Sequence, residues 1–215
     1  MTRRRIGVLI SGRGSNMVTL IEAANAPDYP ATVALVVANR PDAAGLERAR
    51  TAGLDAIVID HKAFSTREGF EQALDAALSE RSIDLVCLAG FMRVLTPWFV
   101  ARWAGRVLNV HPSLLPLFRG TRTHERALAE GVLVHGCTVH FVVPDLDAGP
   151  IVAQAAVPVV PGDTAQSLAD RVLAQEHVLY AQAVRMICSG EARLEGGRVV
   201  FASSWDDSAA LRSPP

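Results

Sequence analysis

Short apolar runs rich in β-branched residues recur along the first half of the chain, and amphipathic stretches of ten or more residues separate them. The runs are RIGVLI, TVALVVAN, DAIVID, IDLVCLAG and RVLNV. This alternation is typical of βαβ units built around a parallel sheet. Because runs such as LVCLAG are continuously apolar, the sequence predicts strands that helices cover on both faces.

The rhythm changes after Gly136. The runs GCTVHFVV and IVAQAAVPVV flank the turn sequence PDLDAGP, and so short a connection predicts an antiparallel pair of strands. The stretch RLEGGRVVFA predicts a small hairpin turning at Gly196 and Gly197, followed by a loosely held tail. The chain is therefore expected to have an α/β fold with a mixed, mostly parallel sheet, helices on both faces and a Rossmann-like N-terminal half.

A long helix is expected from the sequence GDTAQ onward, where Asp163 and Gln166 have the spacing of a capping box. One stripe of this helix is apolar and comprises Leu168, Val172, Leu179 and Ala183. Glu176 lies on or beside that stripe, and an acid there needs a partner. The partner is either a ligand or one of the neighbours Arg171 and His177, unless the side chain reaches solvent at the helix edge.

Charge and cysteine content exclude several classes of protein. The formal net charge is −1, from 21 basic and 22 acidic residues, which favours neither nucleic acid nor an anionic membrane as a partner. The apolar run after Arg3–Arg5 is too short for a signal-peptide core or a membrane span. Three widely spaced cysteines indicate neither a disulfide framework nor a Cys-x-x-Cys metal site. We expect a cytoplasmic protein without a metal.

The first strand leads into SGRGSNM, where Gly12 and Gly14 would free backbone amides at the start of a helix. Unpaired amides and the helix dipole attract an anion such as phosphate. Met17 replaces the third glycine of a dinucleotide-binding motif, and the Lys-Ser/Thr end of a P-loop is absent. The alternative is a plain strand-to-helix turn capped by Ser15 or Asn16.

The stretch NVHPSLLP ends the fifth predicted strand, at the edge of the sheet where ligands of open α/β folds bind. Asn109 and His111 are two residues apart and would project from the same face, so an amide and an imidazole can converge on one carbonyl. Pro112 stops the strand and favours an extended His111. The alternatives are a structural histidine at a strand end and a turn-forming asparagine.

The loop VPDLDAGP supplies Asp145 and Asp147, and we expect one of them to lie against His111 and favour its charged form. The alternative is a solvated Asx turn. In CTVHFVV, Thr138 and His140 occupy the face opposite the apolar one. In GFMRVL, the side chains of Met92 and Leu95 either line an apolar slot for a ring system or belong to the core.

Six motifs occur in order over about residues 6–190: VLISGRGSN, LAGFMRVL, LNVHPSLLP, HGCTVHFV, LDAGPIVAQ and QEHVLY. On these motifs the chain resembles the phosphoribosylglycinamide formyltransferases, within the folate-dependent formyltransferases. The resemblance implies a single formyltransferase domain over 1–215, with a phosphate-binding half (1–110), a folate-binding and catalytic half (111–190) and a C-terminal hairpin and tail (191–215). It also implies formyl transfer from 10-formyltetrahydrofolate, as donor cosubstrate, to the amine of 5′-phosphoribosylglycinamide (GAR) in purine biosynthesis.

Carried over by motif, the catalytic residues would be Asn109, His111 and Asp147, with Thr138 and His140 in support. GAR would contact Gly14, Ser15, Asn16 and Glu176. The folate would contact Arg67, Met92, Arg93, Val94, Leu95, Asn109, Val143, Pro144, Asp145, Leu146 and Asp147. The expected partners are small molecules, with no metal, nucleic acid or membrane, and the expected state is a monomer or homodimer. The segment LFRGTRTHERAL departs from the family pattern, so Arg119 and Arg122 receive no role.

Other functions remain open at this point. Methionyl-tRNA formyltransferase shares HPSLLP but needs a further domain and a basic surface, and a 10-formyltetrahydrofolate hydrolase carries an extra N-terminal regulatory domain. Formyl transfer to another amine would use the same residues. A module that only binds a phosphate ligand would use SGRGSN without needing Asn109, His111 and Asp147.

Overall fold

The computed structural model describes residues 2–202 of the 215-residue chain. The strands are β1 (Arg4–Ile10), β2 (Ala31–Ala38), β3 (Ala56–Val58), β4 (Leu85–Leu88), β5 (Val107–His111), β6 (Val134–Phe141), β7 (Ile151–Pro158), β8 (Ala192–Glu195) and β9 (Arg198–Phe201). The α-helices are α1 (Ser15–Ala24), α2 (Gly45–Thr51), α3 (Arg67–Glu80), α4 (Pro97–Arg102), α5 (Thr123–Ala129) and α6 (Ala165–Ser189). Within this described part, no helix is long and apolar enough to cross a membrane.

Seven strands form one sheet in the order β3-β2-β1-β4-β5-β6-β7. β1 pairs in parallel with β2 and β4, β2 with β3, and β4 with β5, whereas β6 and β7 are antiparallel. The predicted mixed, mostly parallel sheet is therefore confirmed. The continuous apolar runs explain it, because β4 is buried along its whole length, as expected for a strand with two covered faces.

The chain divides into two compact units, and the first comprises residues 1–109 together with 141–145. Its core packs α3 and α4 against the parallel strands, with Phe70, Leu74 and Leu78 of α3 almost fully buried. Thr66 caps α3 by accepting a hydrogen bond from the amide of Gly69. This unit places the carboxyl ends of β1 and β4 at the same edge of the parallel sheet, where ligands of such folds bind.

The second unit comprises residues 110–140 and, within the described part of the chain, residues 146–202. The predicted stripe of α6, Leu168, Val172, Leu179 and Ala183, is buried. The capping box, however, consists of Thr164 and Ser167, so the assignment to Asp163 and Gln166 was wrong. Asp163 instead accepts two hydrogen bonds from Arg171, each 2.9 Å long, and one from the Ser167 hydroxyl. The Asp163 carboxylate is therefore paired with the Arg171 guanidinium and does not cap the helix.

β8 and β9 form the predicted hairpin. Gly196 and Gly197 have φ values of 55° and 79°, which fit the left-handed pair of residues that a two-residue hairpin turn requires. The tail predicted beyond this hairpin lies outside the described residues.

Candidate active site

The glycine turn after β1 opens onto the N-terminus of α1. Gly14 occupies the N-cap position with φ 67°, and neither a side-chain cap nor an acidic residue is present in the first turn of the helix. Ser15 and Asn16 lie inside the helix, so the alternative in which one of them is the cap was wrong. Because the first amides of a helix have no intrahelical acceptors, this uncapped terminus suits an anion.

The glycine turn is also held closely against the start of α2. The amide of Gly45 donates a 3.0 Å hydrogen bond to the carbonyl of Gly12. A Cβ atom on Gly45 would lie 2.6 Å from Cδ1 of Ile10 and 3.3 Å from Cα of Gly14. The turn therefore depends on a glycine at position 45, which the sequence motif did not single out.

The predicted folate segment from Met92 to Leu95 is tied to the same turn. The amide of Met92 donates a 2.8 Å hydrogen bond to the Ser11 hydroxyl. Met92 is 72% exposed and Val94 52%, whereas Leu95 packs in the core of the first unit. Of the two side chains expected either to line a slot or to be core, Leu95 is core and Met92 is accessible.

The first unit contains further residues that are predicted to contact the folate. Arg67 begins α3 and is exposed. The guanidinium of Arg93 lies 5.4 Å from the centre of the Phe70 ring, within cation–π range. Val143 is half-buried, and Pro144 and Asp145 are exposed.

A buried carboxylate that sequence reasoning missed supports the Met92–Leu95 segment. Glu71 is 2% exposed and accepts a 2.8 Å hydrogen bond from the amide of Thr96, as well as one from the Thr96 hydroxyl. The sequence does carry a signal for Glu71, because this acid lies next to Phe70 on the buried side of α3. A buried acid without a partner is costly, so a partner for Glu71 could have been predicted.

The end of β5 carries Asn109 and His111, as predicted. Asn109 is half-buried and is the last residue of the first unit before the chain enters the second. His111 is 5% exposed, and its Nε2 lies 3.0 Å from the carbonyl oxygen of Phe118. Because a carbonyl oxygen only accepts hydrogen bonds, Nε2 carries a hydrogen.

Asp147 is the acid that faces His111 in the second unit. Its Oδ2 lies 3.4 Å from Nδ1 of His111 and accepts a 2.8 Å hydrogen bond from the amide of Gly120, while its Oδ1 lies 3.8 Å from Nε2 of His140. The Asp147 side chain is 8% exposed. Each ring nitrogen of His111 thus lies near an oxygen atom, Nε2 near the Phe118 carbonyl and Nδ1 near the Asp147 carboxylate.

The loop that follows His111 is fixed by the hydroxyl of Thr138, which is fully buried. This hydroxyl donates to the carbonyl of Ser113 at 2.7 Å and accepts from the amide of Leu115 and from Nε2 of Gln154, each at 3.0 Å. One donor and two acceptor positions are all used. Thr138 therefore supports the HPSLLP loop itself.

Two further histidines, His124 and His135, pack edge-to-face with ring centres 5.2 Å apart. Burial lowers the pKa of His135 to about 4, and the charge of His124 acts in the same direction. The Pro112 carbonyl raises the pKa of His135, but by less than burial lowers it. Neither ring nitrogen of His135 forms a hydrogen bond within the described residues. Burial lowers the pKa of His124 as well. Among residues 2–202, no group of three or more His, Cys, Asp and Glu side chains is arranged to hold a metal ion.

Glu176 lies on the buried side of α6, at 7% exposure. Burial, and secondly the negative charge of Glu176, raise the pKa of the Cys137 thiol to about 12. Arg171, one of the expected partners, pairs with Asp163 instead.

The chain has an α/β fold, a helix terminus suited to an anion and a buried histidine–aspartate pair, and these features fit an enzyme of the group-transfer class. The sequence model described as Formyl transferase matches residues 4–184, and the chain belongs to this family. It is 44% identical to the phosphoribosylglycinamide formyltransferase of Escherichia coli K12, over 98% of this chain and 96% of that protein. The resemblance inferred from the six motifs is confirmed.

Solved structures agree with this assignment. Glycinamide ribonucleotide transformylase 1 from Symbiobacterium toebii superposes with a TM-score of 0.91 at 46% identity, covering 94% of this chain and 95% of that one. The human trifunctional purine biosynthetic protein adenosine-3 is 48% identical over 93% of this chain. The chain spans only about a fifth of the length of that trifunctional relative.

Proposed function

We propose that this chain transfers the formyl group of 10-formyltetrahydrofolate to the amine of GAR, a step of purine biosynthesis. The observation that carries the proposal is the pairing of His111 with Asp147 in a chain that matches the E. coli formyltransferase over 96% of that protein's length. The chain matches only about a fifth of the human trifunctional protein's length, so no other activity of that protein is carried over.

The reaction needs no covalent intermediate on the protein. The amine nitrogen attacks the formyl carbon, the bond from that carbon to N10 of the folate breaks, and a proton moves from the attacking amine to N10. The difficult points are the negative charge that develops on the formyl oxygen and the protonation of the leaving nitrogen.

The hydrogen-bond partners of His111 indicate which of its atoms acts. Since Nε2–H is bonded to the Phe118 carbonyl, Nδ1, which lies 3.4 Å from Oδ2 of Asp147, is the ring nitrogen that would donate to the formyl oxygen when the substrates are bound. The Asn109 amide, two residues earlier on the same strand, supplies a second donor. Asp147 stabilises the positive charge of the ring and accepts the amine proton on its way to N10.

The proposed substrate contacts are those carried over by motif from the family. The backbone at Gly14, Ser15 and Asn16, at the N-terminus of α1, would hold the GAR phosphate, and Glu176 the glycinamide part. The folate ring and tail would be met by the exposed Met92 and Val94, the backbone around Leu95, and the residues Arg67, Arg93, Asn109, Val143, Pro144, Asp145, Leu146 and Asp147.

The test is to mix the purified chain with GAR and 10-formyltetrahydrofolate and to follow formyl-GAR by mass and the folate product by absorbance. Formyl-GAR that forms only when both substrates are present supports the transferase. Folate product without GAR would identify a hydrolase. No turnover with either substrate, but retained binding of phosphate ligands, would leave only a binding module.

A substitution separates catalysis from binding in the same assay. His111→Ala is expected to keep GAR affinity and to lose a hundred-fold or more in rate, roughly the effect of removing one oxyanion donor. The control His61→Gln changes a histidine of the first unit, which is bonded to the carbonyl of Asn39, and should keep the rate. An undiminished rate in His111→Ala would reject the proposed mechanism.

A further inference from the structure

Both members of the His111–Asp147 pair are bonded to the backbone of one short segment, residues 117–120. The Phe118 carbonyl accepts from Nε2 of His111 at 3.0 Å, and the amide of Gly120 donates to Oδ2 of Asp147 at 2.8 Å. The 117–120 segment therefore fixes the orientation of the imidazole and of the carboxylate at the same time.

This segment has a backbone conformation that must be held by its surroundings. Phe118 has φ 54°, in the left-handed region that a bulky side chain rarely adopts, and Gly120 has φ 80°. Such a residue persists only when the surrounding contacts over-determine it. Ser113 provides one such contact upstream, because its hydroxyl donates a 2.6 Å hydrogen bond to the carbonyl of Leu117.

Arg126 provides the contacts downstream. Its Nη1 donates a 2.7 Å hydrogen bond to the carbonyl of Arg119, and its guanidinium lies 5.5 Å from the centre of the Phe118 ring. One side chain thus holds both the Arg119–Gly120 peptide and the Phe118 ring. A guanidinium is suited to this, since its planar group stacks on a ring and donates in fixed directions.

The position of Arg126 is itself fixed by α5. The buried residues Thr123 and Ala127 anchor this helix, and the amide of Arg126 bonds to the carbonyl of Arg122. Arg126 is exposed, so its contacts with the 117–120 segment are not required to fill the core.

We propose that Arg126 is a positioning residue for the catalytic pair. By holding Phe118 and Arg119, it keeps the Phe118 carbonyl on Nε2 of His111 and the Gly120 amide on Asp147, and so directs Nδ1 of His111 towards Asp147. The proposal rests on the catalytic roles given to His111 and Asp147 in the proposed function.

The test compares three variants of the full chain. Arg126→Gln removes the stacking group and the charge, and Arg126→Lys keeps the charge and a donor. Arg122→Gln is the matched control. It removes the same charge at a position four residues before Arg126, where the side chain pairs with Glu125. For each variant we would measure kcat and KM for GAR, the unfolding temperature, and the nitrogen NMR signals of the His111 ring.

Arg126→Gln is expected to lower kcat roughly ten- to a hundred-fold, as misplacement of reacting groups does, with KM for GAR and the unfolding temperature little changed. The nitrogen signals of the His111 ring should shift, because Nε2–H loses the fixed position of its acceptor, the Phe118 carbonyl. Arg126→Lys should recover most of kcat, and Arg122→Gln should behave as the wild type.

Wild-type kcat and an unchanged His111 spectrum in Arg126→Gln would overturn the proposal. So would an equal loss in Arg122→Gln, since that result assigns the effect to loop charge. Loss of kcat only in proportion to a lower unfolding temperature would reduce Arg126 to a structural residue. These failures leave the proposed function intact, whereas full activity in His111→Ala would reject the catalytic roles themselves.

Discussion

Asp147 holds its carboxylate 3.4 Å from the imidazole of His111 while its own backbone lies in the left-handed region, with φ 49°. Aspartate and asparagine tolerate this conformation better than other residues with a Cβ atom, because their short polar side chains bond locally. The backbone at position 147 therefore restricts which substitutions test charge alone.

Asp147→Asn removes the charge at nearly constant shape and backbone preference. We expect kcat to fall roughly a hundred- to ten-thousand-fold, because an amide neither stabilises a positive imidazole nor accepts the amine proton. The unfolding temperature should stay near that of the wild type. Asp170→Asn, an exposed acid on α6 that bonds to Gln166, is the matched control. Equal activity in the two variants would contradict the proposed role of Asp147.

Thr138→Val should destabilise the loop after His111. The methyl group that replaces the hydroxyl leaves the buried amide of Leu115 without its acceptor, at a cost of about 2 kcal/mol in the free energy of unfolding. Thr138→Ser keeps the hydroxyl and should be close to the wild type. Urea unfolding measures both variants, and an equal loss in the serine variant would show that packing of the methyl group matters more than the hydrogen bonds.

Gly136→Ala should be among the most destabilising changes in the second unit. A Cβ atom at position 136 would lie 2.0 Å from the carbonyl oxygen of Ala155, which is backbone of β7 and cannot turn aside. We expect a loss of about 3 kcal/mol, at the upper end of overpacking costs. Gly12→Ala is the stability control, since its Cβ atom would meet nothing within 4 Å. Calorimetry showing equal unfolding temperatures would contradict the argument.

The sequence predicted the strands well because burial on both faces leaves a strong apolar pattern, as in β2 and β4. It also placed Asn109 and His111 at the end of β5 from local pattern alone, since proline stops the strand there. Pattern did not decide between Asp145 and Asp147 as the partner of His111. That choice depends on the path of the loop, including the left-handed backbone at Asp147.

The sequence could not predict contacts made by the backbone of irregular segments. The acceptor for His111 is the carbonyl of Phe118, whose position depends on a conformation that phenylalanine rarely adopts. The cap of α6 was missed for a related reason. Asp163 and Thr164 are both good capping residues, and tertiary pairing of Asp163 with Arg171 decides between them.

His135 gives the fold a predictable dependence on pH. Its pKa is about 4 in the folded chain and 6.5 for an exposed histidine, so the unfolded state binds more protons between these values. The free energy of unfolding must therefore fall as the pH is lowered from 6.5 to 4, and the loss is complete below that range. Burial lowers the pKa of His124 too, which adds to the effect in the same direction.

His135→Leu should remove the part of this dependence that belongs to His135. Relative to the wild type, we expect the variant to gain on the order of 3 kcal/mol in unfolding free energy between pH 6.5 and 4, because leucine has no proton to bind. Above pH 7 the difference between the two proteins should be constant, and it measures packing alone. Urea unfolding at several pH values gives both quantities. Parallel curves across the whole range would mean that His135 is protonated as readily in the folded chain as in the unfolded one, and that its buried ring finds an acceptor when charged.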